Sequence, residues 1–364
     1  MELRTRTKLK HFFSAVIFLL IAGLLYRSAT YLFREKRPNQ RLNILSYYLE
    51  PRNSLDMVIV GGSGIYRYYD PMYAYELSGM TSFDYACASF YGAFTENAVK
   101  EVLAEQNPSL LLIDARRWLP SKINKKRDVI RYYLDSMDLN PNRLDAALKY
   151  SRIHSMSFND TVSLSLDLCL YHNNTSALFD KERWKLIDNR IDEHHKSYFK
   201  GFGMISKVKP IKRPDASAVQ TTQMAVLPET VEKEYRKMLE YVSVLPQDVL
   251  LIVTPTRVNK KEMKVYNTLE AIASEYGVPM WNGNLYYDEM GVDFSSDFYN
   301  NHHMNVQGAR KFTKYLTEYV KEHYGIKDHR NDEIGEYWNA GLPEYHERIG
   351  SMFARVEKQL EANE

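Results

Sequence analysis

Apolar and polar positions alternate along this chain in two rhythms. Short, mostly apolar runs occur at "MVIVG" (57–61), "SFDYACAS" (82–89), "SLLLID" (109–114), "DVLLIVTP" (248–255) and "VPMWN" (278–282). Runs of this length, bounded by turn residues and lacking a polar face, predict strands buried on both sides. Between them, apolar residues recur at helical spacing. "FTENAVKEVLAEQN" (94–107) aligns Val99, Val102 and Leu103, opens at Thr95 with Glu96, and is closed by Pro108. Similar spacing predicts helices over 228–245, over 260–277 with Gly277 as its stop, and over 305–325. Strands alternating with helices predict an α/β fold with a parallel sheet and right-handed crossovers.

Three stretches depart from that rhythm. Residues 34–56 are charged and read as a linker. Residues 118 to about 227 are polar and irregular, with helical pieces in "KRDVIRYYLDSMD" and "NRLDAALKYSRI", and read as a helical insertion or cap. The tail, 326–364, is charged and reads as helical in "LPEYHERIGSMFARVEKQLEA". No internal repeat or low-complexity tract is present.

The N-terminus has its own pattern. Arg4, Arg6, Lys8 and Lys10 precede the uncharged run Phe12 to Tyr26, and Ser28 to Phe33 extend it past Arg27. A basic leader before an apolar run fits a signal sequence or signal anchor. The run alone is short of the roughly 20 residues a span needs, but Arg27 can snorkel. No small-x-small cleavage site precedes polar sequence, which favours an uncleaved anchor over residues 1–33. Basic residues flank both sides, so the positive-inside rule does not fix orientation. The competing reading is a buried first helix of a soluble cytoplasmic protein.

Composition adds limits. The 364 residues are 45% hydrophobic and 26% charged, with net charge +2. No concentrated basic face points to nucleic acid. The 28 tyrosines suit carbohydrate surfaces and wet interfaces; an AT-rich genome gives the same count. Cys87 and Cys169 are too few for a structural zinc site. They allow a disulfide, although Cys87 lies in an apolar run and reads as a buried free thiol.

Candidate chemistry concentrates at two places. Strand 57–61 runs into Gly61, Gly62, Ser63 and Gly64, which sets a hydroxyl at a strand's carboxyl end, where open parallel sheets hold their ligands. Taken alone, this is equally a plain strand–helix turn. Serine needs a base within reach and donors for an oxyanion. The base is available in "SSDFYNNHHMNVQGARKF" (295–312), which leads into the last core helix and carries Asp297, Asn300, Asn301, His302, His303 and Asn305. Taken alone, His302-His303 is equally a helix-capping pair. "NNHH" hints at metal, but no third ligand cluster accompanies it, so neither a metal nor a cofactor is expected. Tyr66, Arg67, Tyr68 and Tyr69 either line a sugar or phosphate site or form a solvated face. Asp114, Arg116 and Arg117 either reach the cleft or pair with one another.

"GGSG" after the first strand, followed by Asp297…His303 before the last helix, resembles the SGNH (GDSL-like) hydrolase superfamily. More narrowly, the chain is similar to the DltD-like (D-alanine transfer protein) branch. That branch also has an N-terminal anchor, a large insertion with a "YH…W" segment, matched here by Tyr171, His172 and Trp184, and a late histidine motif like "DFYNNHHMNVQGARKFTKYL". The likeness spans about 57–325. It implies a flavodoxin-like three-layer parallel sheet over 57–325, with Ser63 as nucleophile and His303 as base. The acid of such sites commonly lies three residues before the histidine, where this chain has Asn300. Asp297 is the nearest preceding carboxylate and takes the acid's role. Gly62, Gly64, Gly92 and Asn300 are the candidates for oxyanion or substrate contacts, because no asparagine stands where the family has one. His172 and Trp184 read as packing of the insertion.

The implied function is a membrane-anchored, extracytoplasmic serine esterase or O-acyltransferase. It would act on a surface glycopolymer (teichoic acid, capsule or exopolysaccharide) through an acyl-serine, with a membrane-bound O-acyltransferase as partner. The rival is a non-catalytic assembly protein that uses the same cleft for binding, a reading motivated by Asn300.

Overall fold

A computed structural model of the chain describes residues 2–33, 44–123, 127–137, 139–181, 183–184 and 198–362. The chain forms two compact units, one from Met1–Arg37 with Leu139–His194 and one from Pro38–Asp138 with His195–Glu364.

The larger unit is built on five parallel strands: β1 (Met57–Gly61), β2 (Ser82–Ala86), β3 (Leu110–Asp114), β4 (Asp248–Val253) and β5 (Met280–Asn282). Their spatial order is β2-β1-β3-β4-β5. The first crossover carries the chain to one side of β1 and the later ones carry it to the other. The topological switch therefore falls between β1 and β3, and the loops leaving those strands part to form a crevice. The strands are largely apolar because helices cover both faces, although β2 also buries Ser82 and Asp84. Met57 and Ile59 pack with Leu110, Leu112, Leu250 and Ile252 under Phe312, Leu316 and Val320 of the helix Val306–Tyr324. The alternate residues Val58 and Val60 point to the opposite face, where the helix Thr95–Glu105 lies against β1 and the helix Glu229–Val242 packs on it.

The strands are shorter than the apolar runs. β2 stops at Ala86, and Cys87 turns away after its N–H meets the Gly61 carbonyl at 3.2 Å. β4 stops at Val253, and the Thr254 hydroxyl instead accepts from Arg116 at 2.7 Å. Both cysteines are free, Cys87 buried and Cys169 exposed, and burial pushes the Cys87 thiol up to about 12.

Segments read as peripheral are partly core. Residues 34–43 of the expected linker lie outside the described residues, but Ile44, Leu45, Tyr47 and Leu55 are buried. Tyr47 packs edge-on against Phe83 and Tyr85 of β2. The expected insertion divides. Ile130, Tyr133 and Leu134 of the helix Arg127–Leu134 are buried in the larger unit, where Tyr133 meets Phe90 and Phe94. The tail helices Glu333–Asn339 and Leu342–Glu361 bury Trp338, Tyr345, Ile349 and Val356. Tyr345 donates to the Asp70 carboxylate at 2.7 Å.

The smaller unit holds the helix Glu2–Phe33 and the helices Pro141–Ile153, Phe158–Ser165 and Leu168–Tyr171. The stretch Thr7–Thr30, 24 residues, is long and apolar enough to cross a membrane. Tyr171, His172 and Trp184 lie in this unit, whereas Ser63 and His303 lie in the larger one.

Candidate functional site

The site forms where the loops after β1 and β3 meet a hairpin that precedes the last core helix. Gly62 is extended (φ −114°, ψ −159°), and Ser63 opens the single helical turn Ser63–Tyr66. The turn is small because its neighbours are close. A Cβ on Gly62 would stand 2.8 Å from Arg117 Nη1, and one on Gly64 would stand 2.6 Å from Arg116 Nη1. Both contacts lie well inside van der Waals distance, so glycine is what admits the two arginines beside Ser63.

The histidine side is set by register. Phe298–Asn300 and His303–Met304 pair antiparallel, with Asn300 opposite His303 and only Asn301 and His302 between them. Cross-strand partners share a face of the ribbon, so this hairpin turns a spacing of three residues into side-chain contact. Tyr68 donates to the His302 carbonyl at 2.8 Å and Arg116 donates to it at 3.1 Å, pinning the turn. Tyr299 stacks on the His303 ring at 5.5 Å and 13°.

Ser63 and His303, 240 residues apart in the chain, meet with Oγ 2.8 Å from Nε2. The other ring nitrogen, Nδ1, lies 3.1 Å from Asn300 Oδ1. The same Oδ1 accepts the His302 backbone N–H at 2.8 Å. A backbone N–H only donates, so this atom of the amide is the oxygen, and Nδ1 must carry the proton. Nε2 then presents its lone pair to the Ser63 hydroxyl, the tautomer a general base requires.

Asp297 is not brought to His303. Its buried carboxylate accepts from Lys311 Nζ at 2.8 Å, from Gln307 Nε2 at 2.9 Å and from the Asp293 N–H at 2.7 Å. Its backbone carbonyl accepts from Asn305 at 2.9 Å. Asn305 in turn caps the helix Val306–Tyr324 by accepting from Gln307 and Gly308. Asp297 therefore fastens that helix to the hairpin, and the assignment of the acid to it is corrected: Asn300 occupies the place against Nδ1.

The other candidates divide. Gly62 and Gly64 flank the serine. Gly92 starts the short turn Gly92–Phe94, where a Cβ would meet the Arg117 carbonyl at 2.9 Å, so the loop after β2 packs on the backbone of Arg117. Tyr66, Tyr68 and Tyr69 are buried in the core rather than displayed to a ligand. Arg67 donates to the Gly203 carbonyl at 2.6 Å.

Electrostatically the site is cationic. Arg116 and Arg117 are both buried. Asp114 Oδ2 lies 3.4 Å from Arg117 Nε and accepts the Gly62 N–H at 3.2 Å, and its Oδ1 accepts the Arg116 N–H at 3.0 Å. Arg116 donates to Thr254 Oγ1 at 2.7 Å as well as to the His302 carbonyl. Burial above all, then the charges of Arg116, His302, Arg117 and Arg67, drive the His303 imidazole down to about 2. His303 is therefore neutral at rest at any physiological pH. Tyr299 and the role of Arg117 were not singled out from sequence, although the paired arginines ending a buried strand were the visible signal.

Beside the hairpin a cavity of about 500 Å³ opens, lined in part by Asn301, His302, Lys212, Arg213, Arg257 and Lys260. Lys212 and Arg213 pair with Asp215 and Asp288, at 3.2 and 2.6 Å. Arg257 and Lys260 have no ion-pair partner among the described residues. Among those residues no group of three or more His, Cys, Asp or Glu is placed to hold a metal ion.

No family model matches the chain, and no curated protein matches it.

Proposed function

We propose that this protein is a serine acyl-transfer enzyme of SGNH type, anchored by its N-terminal helix, with its larger unit outside the cytoplasm. The observation that carries the reading is the contact of Ser63 Oγ with the unprotonated Nε2 of a histidine whose Nδ1 proton is held by Asn300. In the first step Ser63 Oγ bonds to an ester carbonyl carbon, the carbonyl π pair moves to oxygen, and the hydroxyl proton passes to Nε2. Collapse breaks the bond to the leaving alcohol, which takes the proton from Nε2 and leaves an acyl-serine. Water or a sugar or polyol hydroxyl then attacks in the same way in reverse. Esterase and transferase differ only in which acceptor wins.

The substrate class proposed is an acylated surface glycopolymer such as teichoic acid, capsule or exopolysaccharide. A span-length helix holds the protein at a membrane, and the cationic site and the cavity beside it suit an anionic chain. A membrane-bound O-acyltransferase is the proposed donor of acyl groups. A fluorophosphonate probe tests the reading: covalent label on Ser63 in folded wild-type protein, absent in Ser63→Ala, is expected. A folded protein that takes no label would sink it.

A second reading is favoured by Asn300. Without a carboxylate on Nδ1, the imidazolium formed during attack lacks its usual stabilising charge. A protein that keeps the cleft only to bind polymer or acyltransferase would show this. In that case Ser63→Ala would leave polymer acylation intact, and Asn300 variants would change binding rather than rate.

A further inference from the structure

Arg117 is a buried guanidinium that donates no hydrogen bond to any described residue. Its Nε is fully enclosed and makes no hydrogen bond, and its one ion pair among the described residues is that Nε with Asp114 at 3.4 Å. That carboxylate also serves two backbone N–H groups. A guanidinium has five N–H donors, and even one of them enclosed without an acceptor is costly. Arg117 nevertheless stands between three parts of the site. Its Nη1 abuts Gly62, its carbonyl abuts Gly92, and its charge reaches His303. Arg116 and Arg67, by contrast, donate to fixed oxygens at Thr254, His302 and Gly203. The site thus holds more positive charge than its single carboxylate balances, and the position opposite His303 Nδ1 that would normally add a second carboxylate is an amide.

We propose that Arg117 supplies the missing anion site: its guanidinium binds an anionic oxygen presented at Ser63, which provides the counter-charge under which His303 accepts a proton. This rests on Ser63 being the nucleophile. The anionic oxygen has two possible sources, the tetrahedral oxyanion generated on the acyl carbon or a fixed carboxylate or phosphate of the substrate.

The test uses the full chain in detergent with p-nitrophenyl acetate, which is neutral, and p-nitrophenyl hemisuccinate, which is anionic. Arg117→Gln is compared with wild type, with melting temperature as the fold control. Arg117→Gln combined with Asp114→Asn removes the pair without stranding a charge, should the single variant not fold. Loss of about 100-fold in kcat on both esters, the usual scale for an oxyanion donor, with KM little changed, identifies the oxyanion. Loss confined to the hemisuccinate, through KM, identifies a fixed anion. Rates within about threefold of wild type on both esters overturn the proposal and leave Ser63 standing. A wild type inert to both esters and to fluorophosphonate removes the reading of Ser63 and this inference with it.

A different observation carries a second inference, within the smaller unit. Large apolar side chains are displayed there: Phe158 is 81% exposed, Phe179 87% and Trp184 49%, with Leu166, Leu170 and Leu178 beside them in sequence. Leu168–Tyr171 and the turn Thr175–Phe179 pack on the helix Glu2–Phe33. Asn174 Nδ2 donates to the Phe33 carbonyl and Arg183 Nη1 to the Leu32 carbonyl, each at 2.9 Å, and Trp184 Nε1 donates to the Leu178 carbonyl. Asn174 and Arg183 therefore sit at the C-terminal end of that helix, just past the apolar stretch that ends at Thr30, and Trp184, next to Arg183 in the chain, is tied to Leu178. Aromatic side chains at that level suit the boundary between acyl chains and headgroups.

We infer that this face is submerged in the headgroup region of the bilayer that the helix crosses. The full chain in vesicles of brominated phosphatidylcholine is the test, because Trp118, Trp281 and Trp338 are buried and Trp184→Phe isolates the remaining indole. Trp184-dependent quenching, stronger with bromine near the headgroup than deep in the chain, is expected. Absence of Trp184-dependent quenching overturns the inference and points to a protein partner on this face.

Discussion

The amide of Asn300 and the imidazole of His303 are cross-strand partners of one hairpin, Oδ1 to Nδ1 at 3.1 Å. The contact fixes the tautomer but offers no charge. Replacing Asn300 with Asp keeps the shape and the bond from the His302 N–H while adding the carboxylate. Asn300→Asp is expected to raise the rate of fluorophosphonate labelling of Ser63 by about 10-fold or more, since loss of such a carboxylate elsewhere costs far more than that. Asn300→Leu, which frees the tautomer, is expected to lower it. An Asn300→Asp variant no faster than wild type would show that Nδ1 needs orientation alone.

The same surroundings set a pH profile. Burial and neighbouring arginines depress the His303 pKa to about 2, so the base stays unprotonated as pH falls through the usual histidine range. Labelling of Ser63 is expected to stay level from pH 8 to about pH 4, without the limb near 6.5 of an ordinary histidine. In Asn300→Asp the added negative charge raises the pKa and should bring a limb into view at higher pH. A wild-type limb near 6.5 would contradict the electrostatic picture.

Asp297 serves structure. Its carboxylate ties Lys311, Gln307 and Asp293 together at the start of the last core helix. Asp297→Asn should cost about 1–3 kcal/mol of stability yet label at Ser63 within about threefold of wild type in the folded fraction. A loss of labelling like that of His303→Ala, at unchanged stability, would return the acid role to Asp297.

What could be read in the sequence follows from range. The strands were legible because each is a local apolar run, and the Ser63 and His303 segments because strand ends before helices are places where parallel sheets keep their ligands. The order β2-β1-β3-β4-β5 is not local, so nothing in the runs encodes it. Asp297 looked like the acid because charge is visible in a sequence and hairpin register is not; only the pairing of Asn300 with His303 decides the matter. The stretch from Ile44 looked like linker and the tail like a charged helix because their apolar residues are sparse, and sparse residues such as Trp338, Tyr345 and Tyr47 suffice to dock a short element. Tyr66, Tyr68 and Tyr69 read either as ligand contacts or as a solvated face but lie in the core, where the Tyr68 and Tyr69 hydroxyls find the His302 carbonyl and Ser82.

Lys200 and Glu50 form a buried pair, with Nζ 2.8 and 2.9 Å from the two carboxylate oxygens. The ammonium also lies 4.7 Å from the centre of the Trp338 ring, so the pair joins the stretch after residue 197 to the tail. Lys200→Met strands a buried carboxylate and should destabilise by about 3–5 kcal/mol. Lys200→Met with Glu50→Gln should recover a substantial part of that, as measured by chemical denaturation. Equal losses in the single and double variants would mean that the charge left on Glu50 is not what destabilises Lys200→Met.

Asp84 of β2 is the opposite case, a buried carboxyl with neither oxygen hydrogen-bonded to any described residue. Burial pushes its pKa well above the carboxylate range. The folded state therefore keeps a proton that the unfolded chain releases near pH 4. Stability from this group is full below that pH and is lost as pH rises through the folded pKa. Asp84→Asn, which stays neutral in both states, should match wild type at pH 4 and melt at a higher temperature than wild type at pH 8. Melting temperatures that differ equally at both pH values would show that the folded state does not hold the Asp84 proton above pH 4.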